Sequence, residues 1–342
     1  MNAVTTHSRF AVAGYDQVRA TPTSLKREYG HSRIHCRRPY HVVVSVTPTI
    51  FVLPVPSWSR PKSSKPRYPK YSNGWGIEQD FAEFVEFRYP FRVKDARTAD
   101  FLYLPIFWTR LQSPGFSRVQ VGSRLAAVVD PYLHFGSRLL TLCQHDDGPC
   151  VDLGSATVYL GSRQGADGKD APLLAEPVPG LLRKPKRDVF MSFVGRAETH
   201  PIRSELIQAV RADSKVLIET KKVRPRKFAS ILARSKIVLA PRGYGGSSFR
   251  FFEALKYGAV PWLVGEPDTR PFKRVVAWEE YSFYSRNVDE FKEQLQNLSI
   301  ELVDKKLDSV RAAPPRLDFG AWPMDLLQDL GQGVQRSSGD RS

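Results

Sequence analysis

Between Arg242 and Glu253 the chain reads Arg-Gly-Tyr-Gly-Gly-Ser-Ser-Phe-Arg-Phe-Phe-Glu, and these residue types together suit the holding of an anion. Gly243, Gly245 and Gly246 let backbone N–H groups approach a ligand with no side chain in the way. Ser247 and Ser248 add hydroxyls and mark a helix start, whose positive dipole end favours phosphate. Arg242 and Arg250 flank that point with permanent charge. A solvated turn with N-capping serines is the plainer reading, but it has no need of paired arginines and a run of glycines. The segment also lacks the Gly-Lys-Ser/Thr ending of a P-loop, which sets it apart from that class of phosphate grip.

The flanking text says what positions these residues. Ile237 to Ala240 is a β-branched apolar run closed by Pro241. From Phe249 the spacing turns helical, with Phe249, Phe252 and Leu255 on one face and Gly258 placed to end it. A second apolar run, Ala259 to Val264, follows at once, so the stretch predicts a βαβ unit. Upstream, Val189 to Arg196 predicts a strand, and a helix follows from Ile202 to Ala212. In the first half, strands are expected at 42–53, 99–105 and 139–143, with a helix over 74–87. The strand ending at Cys143 delivers His145-Asp146-Asp147-Gly148 at its carboxyl end, where open α/β sheets bind ligands. Residues 160–187 thin into Gly, Pro, Asp and Lys and predict a linker.

Four segments are therefore expected: a basic, loosely ordered extension over 1–41, an α/β domain over 42–182, a second over 183–312, and a polar tail over 313–342. The chain's 342 residues accommodate two domains, and a net charge of +16 points toward an anionic ligand or solvated basic faces. The basic clusters are not interleaved with aromatics and carry no nucleic-acid motif, so no nucleic-acid partner is expected. Three cysteines cannot form a disulfide framework, and reduced thiols are expected. Neither a signal peptide nor an integral membrane segment is legible, which predicts a cytoplasmic location.

With these residues in view, the chain resembles the exostosin family of glycosyltransferases. The match runs from Ser235-Lys236-Ile237-Val238-Leu239-Ala240-Pro241-Arg242-Gly243-Tyr244 through Ser247-Ser248-Phe249-Arg250-Phe251-Phe252-Glu253-Ala254-Leu255 to Gly258-Ala259-Val260-Pro261. Phe193-Val194-Gly195 with a later arginine looks like a second marker, and Arg97-Thr98-Ala99-Asp100-Phe101 with Leu104-Pro105 agrees more loosely. The resemblance implies a GT-B-like α/β fold, two Rossmann-like domains facing across a cleft. It also implies inverting transfer of a sugar from a nucleotide-diphosphate donor, UDP foremost, to a saccharide or glycan acceptor in polysaccharide biosynthesis.

On that reading Arg242, Gly243, Ser247 and Ser248 hold the donor diphosphate and Tyr244 belongs to the same nucleotide-sugar site. Arg250 either contacts phosphate or lies across the helix surface, and Arg196 and Arg203 either reach the phosphates from the opposite loop or form surface salt bridges. Glu253 would accept hydrogen bonds from the ribose hydroxyls. The base that takes the acceptor proton should come from the first half, as His145 or Asp146. Trp75, Glu78, Trp108 and Arg110 are the acceptor-side candidates, with core packing the plainer role for either Trp. No metal ligand set is legible and no cofactor is firmly implied, although a divalent cation, Mn or Mg, stays open. The alternative is a non-catalytic binder of anionic glycans or nucleic acid with a vestigial nucleotide site. Oligomeric state is not legible.

Overall fold

The computed structural model describes residues 47–61, 76–112, 118–165, 167–174, 185–312 and 320–333. Two parallel five-stranded sheets organise them. The first takes its strands in chain order: β1 (Ile50–Val52), β2 (Phe101–Tyr103), β3 (Leu139–Cys143), β4 (Thr157–Leu160) and β5 (Lys169–Asp170). All five residues of β3 are buried, as expected for a central strand covered on both faces. Helix α1 (Gly76–Phe87) packs Ile77, Phe81, Phe84 and Val85 inward. Helices α2 (Trp108–Gln112) and α3 (Arg118–Val129) complete the layer.

The second sheet is built from β6 (Val189–Val194), β7 (Val216–Glu219), β8 (Ser235–Pro241), β9 (Val260–Val264) and β10 (Phe283–Ser285). Its spatial order is β10-β9-β8-β6-β7, so the chain runs outward from β6 to β7 and then returns to the other side of β6. Helices α4 (Pro201–Val210), α5 (Pro225–Arg234) and α6 (Phe249–Lys256) connect these strands. Short α7 (Trp278–Tyr281), then α8 (Val288–Gln296) and α9 (Ile300–Ala312), follow β9 and β10.

Helix α6 ends where the sequence predicts. Gly258 adopts φ +69°, its N–H reaches Leu255 O at 2.9 Å, and Ala259 N–H reaches Ala254 O at 2.9 Å. That double bond satisfies the last carbonyls and lets β9 start immediately. The strand expected over 42–53 is only three residues long among the described positions. β5 falls inside the stretch read as linker, because two residues suffice to pair with Tyr159 and Leu160 and leave no periodicity to detect.

The expected polar tail over 313–342 requires correction. Trp322–Gly331 forms helix α10, which buries Trp322, Leu326, Leu327 and Leu330. Its apolar face packs on the first half: Trp322 lies 5.9 Å from Phe81 and donates Nε1–H to Asp80 at 2.6 Å. Phe272, in the loop after β9, stacks on Trp322 with ring planes 5° apart and meets Tyr159 of β4. The Tyr159 hydroxyl donates to Asp329 at 3.1 Å, and Arg274 pairs with the same carboxylate at 3.0 Å. The two sheets thus share one continuous core through Tyr159, Phe272 and Trp322.

Candidate functional site

The reversal of strand order between β6 and β8 opens a crevice at their carboxyl ends, the place where open α/β sheets take ligands. Two loops border it, 195–200 after β6 and 242–248 after β8. Arg203, in the first turn of α4, ties them together. Its guanidinium donates to Arg242 O at 2.8 Å, Arg196 O at 2.9 Å and Pro241 O at 3.1 Å. Burial lowers its pKa to about 10, with Arg250 adding to that effect. The resemblance sends Arg203 to phosphate; the structure commits three N–H groups of its planar fork to backbone carbonyls.

Across the crevice stand the carboxyl ends of β3 and β4. Gly246 N–H donates to Arg163 O at 3.0 Å. A Cβ at position 245 would lie 2.0 Å from Ser162 Oγ, 2.7 Å from Ser162 O and 2.8 Å from Asp146 Oδ1. Only glycine permits this approach. Asp146 is half-buried; burial raises its pKa, while a hydrogen bond from Ser162 and the nearby His145 and Arg242 oppose the rise. Arg242, lowered by burial, finds in Asp146 its opposing charge, and donates to Glu266 O. His145 accepts the Asp147 N–H at Nδ1, at 3.2 Å.

Four buried side-chain atoms among the described residues lack a hydrogen-bond partner, and three of them belong to the two crevice loops: Thr199 Oγ1, Arg242 Nε and Ser248 Oγ. Buried polar groups are normally satisfied, so this concentration singles out the two loops as the candidate site. The field there is positive: burial together with Arg242 and Arg203 lowers the pKa of His200, against an opposing effect of Glu205. Sequence reasoning missed Ser162, Thr199 and His200. The one usable signal was His200-Pro201, a polar residue before a proline at a helix start.

The other sequence candidates divide. Gly243, Ser247 and Ser248 line the turn, with both serines buried, and Tyr244 stands out from its tip at 69% exposure. Arg196 is exposed. Arg250 turns away from the glycines: it donates to Val194 O at 2.5 Å, covers the Phe228 ring and pairs with Glu253. Glu253 is buried against that arginine, which opposes the upward push of burial on its pKa.

The acceptor-side candidates fare differently. Trp108 is fully buried with Nε1–H on Thr141 at 2.9 Å, so it is core and not a sugar platform. Glu78 is buried too, accepting from Thr109 Oγ1 at 2.6 Å and Gln144 N at 2.9 Å, which corrects its acceptor role to an internal pin. Arg110 donates to Pro61 O at 2.7 Å and to Gln79, and stacks on Phe107. Trp75 lies outside the described residues. Among the described residues no three His, Cys, Asp or Glu side chains converge on a metal position, and no helix is long and apolar enough to cross a membrane.

Both walls of this crevice fall within residues 134–298, which match the model of the exostosin GT47 domain. A probable glucuronosyltransferase of Oryza sativa subsp. japonica is 30% identical over 110 residues, covering 29% of this chain and 25% of that protein. The chain thus spans about a quarter of the length of the curated relative it matches. Among solved structures, the avilamycin A glycosyltransferase AviGT4 aligns over 84% of this chain and 99% of its own, with 14% identity and a TM-score of 0.36. TarM aligns over 60% and 57%, with 9% identity and a TM-score of 0.32. Scores of this size carry no functional weight. What the exostosin match adds is that β3 to α8, with Asp146 at one wall and the glycine loop at the other, lie within a single matched segment.

Proposed function

We propose that the chain is an inverting glycosyltransferase that moves a sugar from a nucleotide-diphosphate sugar, UDP foremost, to a saccharide or glycan acceptor. The observation that carries this reading is the set of unpartnered Thr199 Oγ1, Arg242 Nε and Ser248 Oγ at the switch point, opposite Asp146. The donor diphosphate would take those atoms and the Arg242 charge. As the acceptor hydroxyl oxygen bonds to the anomeric carbon, Asp146 or His145 would accept its proton. The bond from that carbon to the diphosphate oxygen breaks, and its electron pair leaves on the diphosphate. Fixed donors and cations at the leaving group stabilise the charge that develops there. The exostosin match and the relative named a probable glucuronosyltransferase support the reaction class.

The Gly245–Ser162 contact means that the two halves must separate for a diphosphate to enter and close again over it, which excludes water from a hydrolysable donor. A thermal-shift panel of UDP, GDP and their sugars tests the reading. Stabilisation by at least one nucleotide, lost in Arg242→Ala, is the expected result. No stabilisation by any of them at millimolar concentration removes it.

A further inference from the structure

His200 caps α4 with its side chain: Nδ1 accepts the Ile202 N–H at 3.3 Å. A ring nitrogen that accepts a hydrogen bond carries no proton, so in the neutral imidazole the proton resides on Nε2. The capping bond therefore leaves Nε2–H as a donor of fixed tautomer. Arg242 and Arg203 both act on this ring, with Glu205 opposing them. Thr199, one residue earlier, holds its hydroxyl buried and unpartnered, and a Cβ at Gly243 would lie 3.9 Å from it. Arg203 holds the His200 turn against the glycine loop through the Arg242 and Pro241 carbonyls. The His200 turn therefore lies beside the glycine loop, and among the described residues no partner is found for the Thr199 hydroxyl there.

We propose that His200 donates its Nε2 proton to a diphosphate oxygen of the bound nucleotide, so that the turn before α4 forms the second wall of the anion site. This rests on the nucleotide-sugar reading above. Capping and ligand contact use different nitrogens, and this makes the two roles separable. His200→Asn keeps a strong helix cap but has no group at the Nε2 position, whereas His200→Ala loses both.

Titration calorimetry with UDP and with uridine, alongside melting temperature, tests the assignment. Expected is a His200→Asn variant that melts like wild type and binds uridine equally, but binds UDP about tenfold to a hundredfold more weakly, as for loss of a hydrogen bond to a charged group. His200→Ala should lose UDP affinity and also melt lower. Equal UDP affinity in wild type and His200→Asn overturns the assignment while leaving the transferase reading intact. Parallel loss of uridine and UDP binding overturns it too, since a general distortion would then be the cause. Failure of the wild type to bind UDP overturns this assignment, and it removes the transferase reading as well only if no nucleotide of the thermal-shift panel stabilises the protein.

Discussion

Asp146 of one half lies against Gly245 of the other, with Oδ1 only 2.8 Å from where a side-chain carbon at position 245 would stand. The contact joins the candidate base to the candidate phosphate loop. Gly245→Ala should therefore push the halves apart, because Ser162 O is backbone and cannot swing aside. The expected cost is about 1–3 kcal/mol, typical of overpacking, together with loss of donor turnover. Denaturant titration and a donor-hydrolysis assay would check both; a variant with full activity and stability would show that the loops stay apart in solution.

Asp146→Asn should lower kcat by about 10²–10⁴ while leaving UDP affinity unchanged, as for removal of a general base. Burial holds the Asp146 carboxyl above the usual carboxylate range, and a base acts in its ionised form. Activity should thus rise with pH through that elevated value, and the acid limb should vanish in the Asn variant. If His145→Ala abolishes turnover and Asp146→Asn does not, the base is His145.

Arg203→Lys keeps the charge but has no planar fork for the Arg196, Pro241 and Arg242 carbonyls. Donor KM should rise about tenfold with a smaller change in kcat, since a loop is mispositioned and no reacting group is lost. Steady-state kinetics with varied donor distinguishes this from a direct phosphate contact, which should depress kcat as well.

Trp322→Ala removes the ring that Phe81 and Phe272 pack on and strands Asp80 without its indole donor. A loss of about 3–5 kcal/mol is expected from a buried Trp-to-Ala change. Guanidinium unfolding monitored by far-UV circular dichroism would measure it. A change below about 1 kcal/mol would mean that α10 is not part of the cooperative fold.

Burial raises the Glu78 pKa from the ordinary 4.5 to about 7, against hydrogen bonds from Thr109 and Gln144. A carboxyl raised in the folded state binds its proton more tightly there, so its contribution to stability is full at low pH and is lost as pH climbs to about 7. Relative to Glu78→Gln, the wild type should lose on the order of 3 kcal/mol across that window and then level off. Urea midpoints for both proteins at pH 5 and pH 7.5 give the comparison; parallel curves would place Glu78 in a wetter environment.

Much of the glycine-loop wall was legible in the chain because its determinants are local. The Ile237–Ala240 run, the glycines, Ser248 and Gly258 specify strand, turn, helix start and helix end within thirty residues, and β8, α6 and β9 form there. Glu78 was misplaced, and Trp108 and Arg250 were left between two roles, because residue type does not reveal which way a side chain points. An indole suits a sugar face or a core equally well, and here Thr141 supplies the partner that makes burial affordable. α10 was missed because its apolar face has meaning only against Phe81 and Phe272, residues far away in the chain.

The sequence by itself thus determined the α/β alternation, the glycine-rich turn and the family resemblance, all set by short-range spacing and backbone freedom. Tertiary structure alone decided that Arg203 binds carbonyls, that Thr199 and Ser248 are left unpartnered, and that Asp146 meets Gly245. Those outcomes depend on strand order and on how two sheets close on each other, and long-range packing of that kind leaves no periodicity in the sequence.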